Sequence, residues 1–206
     1  MHTNSLLLFN KYASSFFKPN MKVLEIGPDG FPSGYARAIN DPSITWETLD
    51  IYESAKLTYP SSDLYSFNIP NESYDIVLSG QVIEHVKKPW LWMPELARVT
   101  RPCGYVITIN PLSWVYHRAP VDCWRIYPDG MIALYEEAGM SVVDSRCESL
   151  ESPNYRRYRP GVSMECQSPK KQWLSRLFGR VGFPIERSYD TITIGRKSPA
   201  VAINPA

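Results

Sequence analysis

Met21-Lys-Val-Leu-Glu-Ile-Gly-Pro-Asp-Gly-Phe-Pro-Ser-Gly34 is the stretch that decides the fold. An apolar run of strand length, Met21 to Ile26, ends in Gly27, and a turn rich in Gly and Pro then leads into a short helical run, Ser33 to Ile39. A glycine-bearing turn between a strand and a helix lets backbone N–H groups approach a ligand closely. Outward from it, the same alternation repeats. Toward the N-terminus, Asn4 to Phe17 has apolar residues at 6, 9, 13, 16 and 17, which predicts a leading helix within residues 1–19, capped by Asn4 or Ser5. Toward the C-terminus, Ile44 to Leu49 reads as a second strand ending at Asp50, and a weaker run from Asp63 to Phe67 follows. Tyr74 to Leu78 is a compact strand announced by the turn residues Pro70-Asn-Glu-Ser73. Trp92, Leu96 and Val99 define a helix in which Pro94 must sit in the first turn or make a kink. Tyr105 to Ile109 is an apolar strand between Pro102 and Pro111. Met131 to Ala138 reads as a helix capped by Asp129 and stopped by Gly139, and Ser141 to Asp144 and Asp190 to Ile194 are the last two strands.

Strands alternating with helices imply an α/β domain with a mostly parallel sheet covered on both faces. Ligands in such folds bind beyond the carboxyl ends of the strands. Topology alone therefore points to residues 27–35, 50–52, 79–85 and 110–125 as the lining of a site. Asp50 ends the second strand 20 residues after Gly30, where a carboxylate can accept both hydroxyls of a ribose. A dinucleotide site would want Gly-x-Gly-x-x-Gly, and from Gly27 the chain offers Asp29 and Pro32 at the other two places, which argues against NAD.

Composition narrows the class. The 206 residues carry 22 Lys+Arg against 21 Asp+Glu, a net charge of +1 that argues against a nucleic-acid coat. No apolar run approaches the roughly 18–20 residues of a membrane span, and Ser5-Leu-Leu-Leu-Phe9 is too short for a signal-peptide core, so a cytoplasmic location is expected. The four cysteines, at 103, 123, 147 and 166, form no Cys-x-x-Cys pair. Charge is uneven. Residues 146–187 hold nine Lys/Arg and four Glu, and the segment 148–188 is expected to be a basic insertion or lid between the last two strands. Within it, Trp173, Leu174, Leu177, Phe178 and Val181 form one helical stripe flanked by Lys170, Lys171, Arg176 and Arg180. A helix packed on the sheet is the favoured reading of 170–181, ahead of a lid or a helix on an anionic membrane surface.

As a set, Val23-Leu-Glu-Ile-Gly27, Asp50, Ser73-Tyr-Asp-Ile-Val-Leu78, Val82-Ile-Glu-His-Val86, Glu95-Leu-Ala-Arg-Val99 with Arg101-Pro102, and Glu136-Glu-Ala-Gly139 resemble the class I S-adenosylmethionine-dependent methyltransferases, in the small type 11 branch. The resemblance runs in order over roughly residues 20–147. It implies a Rossmann-like sheet of seven strands, mostly parallel with the last strand antiparallel, in a single domain over 1–206. It also implies S-adenosyl-L-methionine as cofactor, S-adenosyl-L-homocysteine as product, and no metal. By position it implies that Glu25 and Gly27 border the methionine end, that Asp50 holds the ribose, that Asp63 or Leu64 approaches the adenine, and that Ser79-Gly80-Gln81 lies under the sulfonium. The family's acid-x-Gly-x-Gly-x-Gly becomes Glu25-x-Gly27-x-Asp29-x-Phe31. The turn can use Gly30 instead, leaving Asp29 to face the ligand's ammonium group. At Glu84-His85-Val86 the resemblance implies a residue that fixes a turn, more than a catalytic His85.

The most unusual segment is Tyr116-His-Arg-Ala-Pro-Val-Asp-Cys-Trp-Arg-Ile-Tyr-Pro-Asp129, at the mouth of the expected site. Its chemistry exceeds what a loop needs to fold. One reading makes it a substrate wall with Tyr116 and Trp124, where His117 is a general base oriented by Asp122 and Arg118 or Arg125 reads an anionic group. The plainer reading is a turn braced by Asp122 and Arg125, with Trp124 filling the edge of the core. The expected activity is methylation of a small polar acceptor, through oxygen on a sugar-like or natural-product substrate, with no nucleic-acid partner. The alternatives are a peripheral-membrane enzyme on lipid-linked substrates and a cofactor-binding protein without catalysis.

Overall fold

The computed structural model describes residues 3–52, 54–61, 63–151 and 188–199. The expectations for the basic stripe at 170–181 lie outside the described residues. Seven strands form one sheet: β1 (Lys22–Ile26), β2 (Thr45–Asp50), β3 (Tyr59–Pro60), β4 (Tyr74–Gly80), β5 (Thr100–Pro111), β6 (Met140–Glu148) and β7 (Asp190–Lys197). Their order is β3-β2-β1-β4-β5-β7-β6, and β7 runs antiparallel to both of its neighbours. The other paired strands are parallel, so the expected seven-stranded mixed sheet is found.

Alternation along the central strands sorts their side chains to two faces. On one face Leu24, Val77 and Val106 pack with Trp92, Leu96, Met131 and Tyr135 of the helices α3 (Pro89–Val99) and α4 (Pro128–Glu137). On the other face Val23, Ile76, Leu78 and Ile107 pack with Leu8, Phe9 and Tyr35, which come from the N-terminal helical segment and from α2 (Gly34–Ile39).

The local readings fail where tertiary partners outbid propensity. The leading helix is α1 (Thr3–Leu8), continued by a widened π turn over Phe9–Ala13 and a tight turn over Ser14–Phe16. Ser14 Oγ donates to the Asn10 carbonyl, a bond that competes with regular helix there. Asn4 and Ser5 are not exposed caps: both lie within α1 and are buried. The expected strand at 63–67 is a loop, and the third strand is the two-residue Tyr59–Pro60 instead. The Asp63 carboxylate accepts from Tyr65 N at 2.7 Å, and Phe67 N donates to the Glu95 carboxylate at 2.5 Å, so these backbone groups have side-chain partners in place of a ladder. Pro94 sits in the second turn of α3, and Pro89 takes the first. In α4 the cap position belongs to Tyr127, which makes no side-chain capping bond; Asp129 lies in the first turn, where a negative charge suits the helix dipole.

Candidate functional site

A cleft of about 190 Å³ opens beyond the carboxyl ends of β1, β2 and β4. Its lining includes Gly27, Leu49, Asp50, Leu64, Gln81 and His85, all but Leu49 and Leu64 within the stretches that topology singled out.

Gly27 follows β1 in a left-handed conformation (φ 69°), and its N–H donates to the Leu49 carbonyl at 2.9 Å. A Cβ there would run into the Val82 side chain, so only glycine leaves this backbone open to a ligand. Asp50 ends β2. Its Oδ1 accepts from Tyr52 N at 3.1 Å, which holds the carboxylate at the rim of the cleft. Gln81 follows β4 in another left-handed conformation (φ 62°), pinned by its N–H to the Ile109 carbonyl at 2.7 Å. Its side-chain amide donates to Asp190 Oδ1 at 3.1 Å.

Other expected cofactor residues stand behind this lining. Glu25 is buried and turned to Ser33 Oγ (2.5 Å) and Trp46 Nε1 (2.7 Å). Burial pushes its carboxyl up to about 7, against the pull of those two hydrogen bonds. Asp29 does not wait for an ammonium group: its Oδ1 accepts from Gly34 N at 2.7 Å and ties down the start of α2. Gly30 does not adopt a left-handed backbone and an added Cβ would meet only an ordinary contact, so the required glycine of the turn is Gly27. Asp63 spends its carboxylate on the turn described above, whereas Leu64 faces the cleft. Ser79 is buried in β4, and Gly80 is packed against the ring and hydroxyl of Tyr35.

The loop at 114–125 adds Ala119 to the lining, while the expected site residues Tyr116, His117, Arg118, Asp122, Trp124 and Arg125 stand outside it. Asp122 has a fully buried side chain and forms a forked ion pair with Arg125, at 2.5 and 2.8 Å. Arg125 holds the Asp122 carboxyl below the usual carboxylate range, despite the opposing effect of burial. Asp122 Oδ2 also accepts from His117 N at 2.8 Å and lies 3.5 Å from His117 Nδ1, so it holds His117 chiefly through the backbone. The imidazole itself uses Nδ1 on the Val115 carbonyl at 3.1 Å. Arg125 is thereby committed to Asp122, while Arg118 and Tyr116 are exposed and bonded to each other at 2.8 Å. Trp124 Nε1 donates to the Val86 carbonyl at 2.8 Å and so docks the loop onto the segment after β4.

Two groupings escaped the sequence reading. A buried polar cluster joins Asn4, Ser5, Tyr35, Gln81, Ser188 and Asp190: Asn4 Nδ2 donates to Asp190 Oδ2 at 2.7 Å, and the Ser5 and Tyr35 hydroxyls are 2.7 Å apart. It anchors the first helix beneath the cleft. The only sequence signal was a pair of polar residues at the head of an amphipathic helix, which reads as a cap. The second grouping is His85 with His117, their ring centroids 5.0 Å apart and edge to face. Burial, together with the neighbouring His117, lowers the His85 pKa below the ordinary imidazole value.

A seven-stranded sheet with one reversed strand and a ligand cleft at the glycine turn defines the class I methyltransferase fold. Solved structures agree. A SAM-dependent methyltransferase of Archaeoglobus fulgidus superposes with a TM-score of 0.61 over 93% of this chain and 92% of its own, at 15% identity. The [4+2]-cyclase SpnF gives 0.61 over 95% and 80%, also at 15% identity. In sequence, residues 39–108 match the family described as a methyltransferase domain. An uncharacterized methyltransferase of Mycobacteroides abscessus is 33% identical over 101 residues, which are 47% of this chain and 34% of that protein. The chain spans 34 to 42% of the length of the curated relatives it matches. The fold is thus that of the class I S-adenosylmethionine-dependent methyltransferases, and the sequence match to a methyltransferase domain lies in residues 39–108.

Proposed function

We propose that the chain methylates a small polar acceptor, at a hydroxyl oxygen of a sugar-like or natural-product molecule. The observation that carries this reading is that one cleft is lined by Gly27, Asp50, His85 and Ala119, and that His117 stands edge to face against His85. The cofactor fits the side of Gly27 and Asp50: Asp50 Oδ1 is fixed by Tyr52 N, Leu49 and Leu64 give an apolar wall for a base, and a Cβ at Gly27 would fill the cradle. S-adenosylmethionine, when bound, supplies a methyl group already activated by its sulfonium.

What remains for the chain is to orient the acceptor and take its proton. His117 is the assigned base. A carbonyl can only accept, so the bond to Val115 places a proton on Nδ1 and leaves the Nε2 lone pair for the acceptor hydroxyl. Asp122, braced by Arg125, fixes the backbone from which this ring hangs. Tyr116 and Arg118, exposed at the outer edge of the loop, offer a ring and a cation to a polar substrate.

The test uses purified protein, methyl-labelled S-adenosylmethionine and a fractionated cell lysate. Label in the aqueous small-molecule pool is the expected result. Label in the lipid, protein or nucleic-acid fraction would reassign the acceptor class. Cofactor binding without label in any fraction would sink the enzymatic reading.

A further inference from the structure

We propose that Glu84, His85 and His117 form a binding site for one divalent d-block cation, best suited to Zn²⁺, at the edge of the cleft. The chain has three histidines in 206 residues, and two of them come from distant segments to stand edge to face. One ligand atom from each of Glu84, His85 and His117 lies within 4.8 Å of the other two.

The hydrogen bonds around the rings set the donor atoms. His85 Nδ1 bonds the Val121 carbonyl at 2.5 Å, and His117 Nδ1 bonds the Val115 carbonyl at 3.1 Å. Both acceptors are carbonyl oxygens, so both Nδ1 atoms carry protons and both Nε2 atoms carry lone pairs. Imidazoles that ligate metals are held this way, with the remote N–H given to a carbonyl or carboxylate that fixes tautomer and ring plane. The backbone beneath is also fixed: Cys123 N donates to the Glu84 carbonyl at 2.7 Å, joining the loop to the turn that carries Glu84 and His85.

Glu84 supplies the independent observation. Its side chain is 1% exposed, and neither carboxylate oxygen has a hydrogen-bond partner among the described residues. The His85 Nε2 atom is 3.7 Å from Oε1, beyond hydrogen-bond reach. A buried carboxyl without partners takes up a proton instead of keeping its charge, and a bound cation is the kind of neighbour that can replace that proton.

The donor set selects the ion. Mg²⁺ and Ca²⁺ want oxygen throughout, whereas two imidazoles with one carboxylate suit Zn²⁺ and its d-block neighbours. Tetrahedral Zn²⁺ at about 2.0–2.1 Å from each ligand needs donors roughly 3.4 Å apart, so the three must draw in by about an ångström. His117 has a side chain 33% exposed and is the arm with room to move. His85 and Ala119 both line the cleft, so an open coordination position would face the acceptor end, where an ion polarises an oxygen. The same Nε2 cannot hold a cation and take a proton, so a loaded site replaces His117 as base. This departs from the metal-free enzyme that the family resemblance implies, because a three-way cluster drawn from two distant segments leaves no spacing signal in the sequence.

The test is titration of Co²⁺ into tag-free protein stripped with a chelator, followed by visible absorption and calorimetry. It reads metal alone and does not depend on finding an acceptor for methyl transfer. The expected result is one equivalent bound, with ligand-field bands that Zn²⁺ abolishes by displacement. Glu84→Gln and His117→Ala should each weaken binding at least about tenfold, a loss of about 1.4 kcal/mol, while His2→Ala leaves it unchanged. Circular dichroism establishes that each variant is folded; Glu84→Gln keeps the shape of the buried side chain and His117 lies on a partly exposed loop. Absence of stoichiometric binding in the parent protein, or binding of equal strength in folded His117→Ala, would overturn the proposal.

Discussion

Replacing Glu25 with glutamine removes a titrating group from the interior of the sheet while keeping its size and shape. The wild-type carboxyl is buried on β1, accepts from Ser33 and Trp46, and is pushed up to about 7 from an ordinary value of 4.5, burial being the largest cause. The folded state therefore holds this proton more tightly than the unfolded chain does. The stability this contributes is fully present below about pH 4.5 and is lost as the pH rises to about 7, where both states are ionised. A shift of about 2.5 units at 1.36 kcal/mol per unit amounts to about 3 kcal/mol. Urea unfolding of both proteins at about pH 4 and about pH 8 isolates the effect, since every other titrating group is common to the two. Glu25→Gln should lose about 3 kcal/mol less stability than wild type between those conditions. Parallel pH dependence in the two proteins would show that Glu25 titrates at an ordinary value, and the burial argument would be refuted.

Asp50→Ala should weaken S-adenosylmethionine binding by about ten- to a hundredfold, the worth of hydrogen bonds to a charged acceptor; an unaltered dissociation constant by calorimetry would contradict the ribose role. Asn4→Ala removes the donors to Asp190 Oδ2 and the Glu148 carbonyl and the acceptor for Leu150 N, and should destabilise by about 1–3 kcal/mol in urea. A change below a few tenths would mean that water replaces Asn4 freely. Gly80→Ala drives a Cβ into the Tyr35 ring and should cost about 1–3 kcal/mol. Combined with Tyr35→Leu the loss should be less than the sum of the two single losses, whereas strict additivity would place the strain elsewhere.

What was legible in the sequence is what short-range pattern controls. Val23 to Ile26 with Gly27 located the first strand and its turn because an apolar run and the glycine that ends it are properties of a few consecutive residues. The spacing to Asp50 located the far side of the cleft for a related reason: in a parallel sheet the helix between two strands must return the chain to the same edge. The readings that failed involve partners that sequence distance hides. Asn4 has the composition of a cap, but Asp190 and the end of β6 offer its amide buried bonds. Asp63 to Phe67 has strand composition, yet the Glu95 carboxylate takes the Phe67 N–H. Asp29 and Glu25 carry charge beside a ligand turn, but Gly34, Ser33 and Trp46 already engage them.

The same contrast separates holding a cofactor from choosing a reaction. The proposed cofactor end of the cleft is made by strand ends, whose positions follow from topology, and Gly27 and Asp50 are set there by the ladders of β1 and β2. The proposed acceptor side rests on Glu84 and His85 from the turn after β4 and on His117 from a loop after β5, joined through Cys123 N to the Glu84 carbonyl and Trp124 Nε1 to the Val86 carbonyl. No sheet register dictates that junction. A methyltransferase and a cyclase share this fold at a TM-score of 0.61 with the present chain, so the sheet is compatible with more than one reaction. On the proposed reading, the specificity of this chain resides where its loop meets the turn after β4. Changes at His117 or Glu84 are expected to alter the reaction or its metal response, whereas changes at Asp50 should alter only how tightly the cofactor is held.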